Sequence, residues 1–244
     1  MAMSLVHSHA QQVIGHRGAK GYVAENTLPS IKRAFELGAD GIEIDVFRIR
    51  TGELVVFHDE DLDRLTGQSG LIENCTLEEV RALRVADEYP IPLLEEVLEL
   101  LPQNKMINIE LKGADTAAPT LHMLYGLFDR KMLQPEQVII SSFNWDELQR
   151  LRTTEAQQAT NYIALRLGVL TEDDPLEALE IAQSLKAFSI HPNFQQLNAE
   201  NTKTIKWAGF EIYVWTVNSP EAIERMKELQ VAGIITDYPD RIFP

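Results

Sequence analysis

Only one cysteine, Cys75, stands in 244 residues, so no disulfide within the chain can staple the fold. A reducing, cytoplasmic setting is the expectation that follows. Cations are the next scarcity: 22 Lys and Arg stand against 37 Asp and Glu, a net charge of −15. Nucleic-acid phosphates need clustered positive charge, and none is present, so a duplex-binding role is set aside. The same balance argues against adhesion to a membrane surface. No run approaches the roughly 20 apolar residues that a membrane helix needs. The first dozen residues lack a basic start and are broken by His7, His9, Gln11 and Gln12 before any signal-length apolar stretch, so residues 1–12 read as a loose tail. Internal repeats, low-complexity tracts and flexible linkers are missing as well.

What is present is an alternation of short β-branched runs with helical patterns, the mark of strand–helix units around a parallel sheet. The strand candidates are Val13–His16, Gly41–Val46, Lys105–Lys112, Val138–Phe143, Tyr162–Leu165, Ala187–His191, Ile212–Val217 and Gly233–Thr236. Eight strands in a chain of this length fit a closed (β/α)8 TIM barrel better than an open doubly wound sheet. Helix starts are marked by Asn26-Thr27 with Pro29 in the first turn, by Asp173-Asp174 before Pro175, and by Ser219-Pro220. Gly38 stops the first of these helices, and no helix is expected after the last strand. About sixty residues separate Val46 from Ile107, too many for a simple crossover. Residues 13–244 therefore read as one domain with a small insertion after the second strand, at about 47–104. That insertion begins with a hairpin around Thr51-Gly52 and continues with helices at Thr76–Leu83 and from near Pro92.

Side chains two apart on a strand share a face. Glu43 and Asp45 in GIEIDV therefore point together, as do Glu110 and Lys112 in NIELK, while the apolar residues between them face the helices. Barrel enzymes carry their chemistry at the C-terminal strand ends, which is where these carboxylates fall. Three converging carboxylates repel one another and resist desolvation unless a cation joins them. Oxygen-only donors suit one hard divalent ion, Mg²⁺ or Ca²⁺, with Mn²⁺ also allowed. A structural ion pair would account for either strand alone; the repeated arrangement favours the metal. Gly15-His16-Arg17-Gly18 places an imidazole and a guanidinium at the same rim, and His58-Asp59 supplies a second imidazole. Two histidines whose pKa values lie near neutrality can serve as acid and base, and Arg matches a pair of phosphate oxygens. His7, His9, His122 and His191 read as surface or capping residues, and Trp145 and Trp207 as packing residues. Phe143 fits a pocket mouth or plain burial equally.

Seven motifs in order, His16-Arg17-Gly18, Glu25-Asn26-Thr27, Glu43-x-Asp45, His58-Asp59, Glu110-x-Lys112, Trp215-x-x-Asn218 and Thr236-Asp237-Tyr238-Pro239, span nearly the whole chain. The string resembles that of the glycerophosphodiester phosphodiesterases, in their short cytoplasmic bacterial form. The resemblance implies metal-dependent hydrolysis of a glycerophosphodiester to sn-glycerol 3-phosphate and an alcohol. It implies Glu43, Asp45 and Glu110 as metal ligands and His16 and His58 as acid and base. It implies Arg17 and Lys112 on phosphate oxygens, Asn26 near the phosphate and Trp215 against the glycerol. Which histidine is the acid stays open; His58 as acid and His16 as base is the working order. The attacking oxygen is the substrate's 2-hydroxyl, through a cyclic phosphate, or water. Two rivals remain: lysophospholipase D-type cleavage of lysophospholipids, and a metal-dependent barrel isomerase or aldolase. The expected partner is a small-molecule substrate in lipid and glycerol metabolism, with no nucleic acid or membrane, and the protein is a monomer or homodimer.

Overall fold

The structure is a computed structural model and describes residues 11–158 and 164–243. The chain first forms β1 (Gln12–His16), α1 (Leu28–Glu36) and β2 (Gly41–Arg48). An excursion follows, made of β3 (Leu54–Val56), α2 (Asp63–Thr66), α3 (Leu77–Ala82), β4 (Arg84–Val85), β5 (Tyr89–Pro90) and α4 (Leu94–Leu100). Alternation resumes with β6 (Met106–Leu111), α5 (Ala117–Asp129), β7 (Val138–Ser142), α6 (Trp145–Gln157), β8 (Arg166–Thr171) and α7 (Ala178–Ser184). It ends with β9 (Ser189–Pro192), α8 (Ala199–Trp207), β10 (Glu211–Val214), α9 (Pro220–Glu228) and β11 (Gly233–Thr236). Eight strands, β1, β2 and β6 to β11, run parallel, and β1 pairs with both β2 and β11. That double pairing closes the sheet into the (β/α)8 barrel expected from the sequence. No helix among the described residues is long and apolar enough to cross a membrane.

Local chemistry explains the element starts. The Thr27 hydroxyl accepts from Ser30 N at 3.2 Å, Pro29 sits in the first turn of α1, and Gly38 takes φ +90° just beyond its end. Thr76 and Glu79 form a reciprocal capping box at α3, and the Ser219 hydroxyl caps α9 ahead of Pro220. In the hairpin, β2 and β3 pair antiparallel through Val46–Val56, Phe47–Val55 and Arg48–Leu54. Phe47, Ile49, Val55, Phe57, Leu62, Ile72, Val80, Val85 and Ile91 give the excursion its own apolar cluster. Within the barrel, Ile14, Met106, Ile139, Tyr213 and Ile235 pack together beneath the polar strand ends, while Ile42, Ile44 and Val46 face the helices.

Four expectations need correction. The fifth barrel strand is Arg166–Thr171, not Tyr162–Leu165, and Tyr162 and Ile163 lie outside the described residues. Gly168 at its centre is a poor strand former; pairing with β7 on one side and β9 on the other decides its place. Of the stretch read as a tail, residues 1–10 lie outside the described residues, but Gln12 already belongs to β1, its side chain accepting from the Tyr213 hydroxyl at 2.5 Å. Trp207 is 80% exposed, because it lies two residues, roughly half a turn, from the buried Ile205 of α8. His191 is fully buried rather than superficial, with Nε2 2.8 Å from the Ser189 hydroxyl, and burial drives its pKa down to about 3, so it stays neutral.

Gly168 of β8 lies against this imidazole: an added Cβ would fall 2.4 Å from His191 Nε2. Gly168→Ala is expected to cost about 1–3 kcal/mol by overpacking. In a chain of this size that lowers Tm by several degrees in thermal melting. An unchanged Tm would mean that the ring has room to move aside.

Candidate active site

The parallel register of β2 and β6 sets Glu43 beside Asn108 and Asp45 beside Glu110. Because alternate residues face inward, Glu43, Asp45 and Glu110 meet inside the barrel mouth, with one oxygen of each within 4.8 Å of the others. All three are buried or nearly so. Burial and the neighbouring Asp45 and Glu110 charges raise the Glu43 pKa well above the usual carboxylate value. Burial and Asp45 push Glu110 up to about 7. Three acids against the two nearby cations, Arg17 and Lys112, leave an unbalanced negative charge. An all-oxygen donor set in that state fits a hard divalent cation.

The loop after β1 folds over this triad. Arg17 takes φ +50° and its backbone N–H donates to Glu43 Oε2 at 3.0 Å. Its Nη1 donates to Glu25 Oε1 at 2.5 Å, while Nε lies 3.3 Å from Asp45 Oδ2. Asn26, also at positive φ, turns its amide to Asp45, with Nδ2 donating to Oδ2 at 2.8 Å. Lys112 follows β6, its Nζ 3.3 Å from Glu110 Oε1 and 3.9 Å from Asp45 Oδ1. Burial opposes its charge, yet Glu110 and Asp45 outweigh that and hold the ammonium above the usual lysine value. The loop behind Lys112 is pinned by the buried Glu147, which accepts from Asp115 N at 3.2 Å and Ala117 N at 3.0 Å.

Each histidine is held by a carboxylate. His16, at the end of β1, has Nδ1 2.6 Å from Asp237 Oδ1, and Asp237 Oδ2 accepts from Asn218 Nδ2 at 2.8 Å. His58 follows β3 and has Nδ1 2.5 Å from Asp59 Oδ1, with Nε2 3.3 Å from Lys112 Nζ. An ionised carboxylate on Nδ1 selects the tautomer with the proton there, which leaves Nε2 of each ring to trade a proton with a ligand. Burial lowers the pKa of both rings against the pull of their Asp partners. At the rim, Trp215 stacks edge to face on Phe143 at 5.3 Å and donates from Nε1 to His191 O at 2.8 Å. A cis peptide joins Trp215 to Thr216.

All nine residues singled out from the sequence thus surround one mouth. Four carrying partners, Glu25, Asp59, Asn218 and Asp237, belong to the motifs without having been given a part. Arg64 was overlooked. Its trace in the sequence is a lone cation directly after the acidic stretch Asp59–Asp63, five residues after Asp59. A separate open cavity of about 420 Å³, lined by Gln11, Asp40, Gln103 and Gln137 among others, lies at the N-terminal strand ends, away from this cluster.

The raised carboxylates generate a prediction. A folded-state pKa above the unfolded one gives stability that is present below the ordinary carboxylate pKa and is lost as pH rises to the folded value, here about 7 for Glu110. The lowered imidazoles of His16, His58 and His191 act in the opposite sense below about pH 6.5, so metal-free protein should melt at progressively lower temperature from about pH 6.5 to pH 8. Saturating Mg²⁺ or Ca²⁺ should flatten that slope and release protons on binding, measured by calorimetry in buffers of different ionisation enthalpy. A slope that persists with the cation bound would remove the triad as its site.

Comparison with known proteins agrees with this geometry. Residues 16–241 match the model of the glycerophosphoryl diester phosphodiesterase family. A glycerophosphodiester phosphodiesterase of Caldanaerobacter subterraneus is 36% identical over 238 residues, covering 94% of this chain and 95% of its own. The crystal structure of a Thermotoga maritima glycerophosphodiester phosphodiesterase superimposes with a TM-score of 0.75 at 31% identity, covering 95% of this chain and 96% of its own. An Oleispira antarctica phosphodiesterase, solved with its product sn-glycerol 3-phosphate, gives a TM-score of 0.81 at 27% identity, covering 95% and 94%. The match of family model, relatives and barrel places this chain in the glycerophosphoryl diester phosphodiesterase family.

Proposed function

We infer that this chain hydrolyses glycerophosphodiesters to sn-glycerol 3-phosphate and a free alcohol. The observation that carries the reading is the flanking of one buried acidic triad by two imidazoles, each with Nδ1 on its own carboxylate. Isomerases and aldolases need a base beside the ion but have no use for two such pairs with Arg17 and Lys112 between them. The product bound to the Oleispira antarctica phosphodiesterase supports the same chemistry.

Glu43, Asp45 and Glu110 would hold one divalent cation, Mg²⁺ or Ca²⁺ with Mn²⁺ as a further option. Such an ion polarises the phosphoryl oxygens and offsets charge that builds on them. Arg17 and Lys112 grip the phosphate oxygens, and together with the cation they would make the mouth locally positive in a strongly acidic protein. Trp215 lines the pocket on the glycerol side. Asn26 steadies Asp45 and would stand near the phosphate. His16 Nε2 takes the proton of the attacking hydroxyl, whether water or the substrate's 2-hydroxyl, as the new P–O bond forms. His58 Nε2 gives its proton to the departing alcohol as the old P–O bond breaks. His58 suits the second part because it is the more open of the two rings, 26% exposed against 12% for His16, and so can reach an alcohol that departs toward solvent. One free thiol in an acidic chain fits a cytoplasmic enzyme acting on free, deacylated head groups.

Metal-stripped protein, reloaded in turn with Mg²⁺, Ca²⁺ and Mn²⁺, should release sn-glycerol 3-phosphate from glycerophosphocholine and glycerophosphoethanolamine and lose this with chelator. Faster turnover of lysophosphatidylcholine would replace the reading by the lysophospholipase one. His16→Ala and His58→Ala should each lower kcat by roughly 10²–10⁴-fold on these alkyl esters. His58→Ala should lose far less on the p-nitrophenyl diester of glycerol phosphate, whose leaving group needs no proton; the reverse pattern would exchange the two histidines.

A further inference from the structure

Arg64 lies in the single turn of α2, a four-residue helix with no side-chain cap. It is half-exposed, yet its guanidinium is fully engaged on two sides. Toward the hairpin, Nε and Nη2 reach the two oxygens of Asp59 at 2.5 and 2.8 Å. Toward the barrel, Nη1 and Nη2 reach the two oxygens of Glu25 at 3.1 and 2.9 Å. Beyond Asp59 stands His58 Nδ1, and beyond Glu25 stands Arg17 Nη1, each at 2.5 Å. One unbroken line, His58–Asp59–Arg64–Glu25–Arg17, therefore joins the excursion to the loop after β1.

An isolated exposed ion pair contributes little, because water competes and two long side chains must be held still. This one differs in geometry. Glu25 is only 6% exposed and is shared by Arg17 and Arg64, with Lys20 Nζ farther off at 3.7 Å, and Arg64 meets both carboxylates with forked pairs that a lysine ammonium cannot reproduce. Asp59, by contrast, belongs to an exposed loop and has His58 and Arg64 as its side-chain partners. Removing Arg64 frees Asp59 to rotate, and the imidazole with it, while Glu25 loses the second anchor that sets the angle of Arg17.

We propose that Arg64 is a positioning residue for the diester hydrolysis: one cation fixes the His58 ring through Asp59 and the Arg17 guanidinium through Glu25. The proposal rests on the parts given above to His58 and Arg17. It assigns the excursion a share in the chemistry, since α2 brings Arg64 to a barrel that otherwise supplies every charged group of the mouth except His58 and Asp59.

The test is a double-mutant cycle in full-length, metal-loaded protein. Arg64→Ala should lower kcat on glycerophosphoethanolamine roughly 10²-fold, the scale of a small misplacement of a reacting group. The loss on the p-nitrophenyl diester should be at least tenfold smaller, following the same logic of proton delivery. In a His58→Ala background the further loss should shrink to about tenfold or less, the share that acts through Arg17 and that also remains on the p-nitrophenyl diester, since coupled residues do not add. Free guanidinium, admitted by the half-exposed position, should restore part of the activity, and Arg64→Lys should not. Arg81→Ala, which removes the exposed Arg81–Glu96 pair of the same excursion, should leave both rates unchanged. A full multiplicative loss in the double variant, an equal loss on both esters, or full recovery in Arg64→Lys would overturn the proposal. If His58→Ala itself shows no preference between esters, the acid role of His58 falls, and the cycle still decides on Arg64.

Discussion

Three buried carboxylates facing one another inside a barrel form an arrangement that cannot stand unaided. Glu43, Asp45 and Glu110 are brought together by strand register, and backbone pairing between β2 and β6 does not let them move apart. Their repulsion is met from the rim. Arg17 brings its backbone N–H and guanidinium, Lys112 its ammonium, Asn26 its amide. Even so the acids remain in surplus, and that surplus fits the cluster to a metal ion. The tension is located where catalysis needs it, at a point the scaffold can hold rigid.

A second layer of carboxylates has the opposite character. Glu25, Asp59 and Asp237 are each matched with positive or proton-donating partners, and for all three those partners outweigh burial and pull the pKa below its usual value. They stay ionised and serve as fixed anchors for Arg17, His58 and His16. The inner acids are held in conflict and the outer acids are satisfied. The contrast separates carboxylates left with surplus charge from carboxylates whose charge is matched.

Much of this was legible because it rests on short-range rules. Alternation along GIEIDV and NIELK put the acids on one face, and eight spaced strand patterns pointed to a closed barrel. Thr27, Thr76 and Ser219 marked helix starts that the structure contains. Hidden features share a different cause: they depend on partners far away in the chain. Strand β8, rich in Leu and with a Gly, is defined by its two neighbours. His191 is buried because Gly168, Ser189 and Tyr213 surround it. Arg64 looks like one more surface charge until Glu25, thirty-nine residues earlier, is seen to meet it. Trp207 was misjudged for the converse reason, an aromatic assigned to the interior where the helix happens to present it to water.

Closure of the barrel has one more outcome. His16 sits at the end of the first strand and its anchor Asp237 just past the last, 221 residues apart, joined only because β1 and β11 lie side by side. During synthesis His16 precedes its anchor, and its ring stays without that partner until β11 has followed. A chain that stops short of β11 lacks both the strand that closes the barrel and the carboxylate that anchors the first histidine.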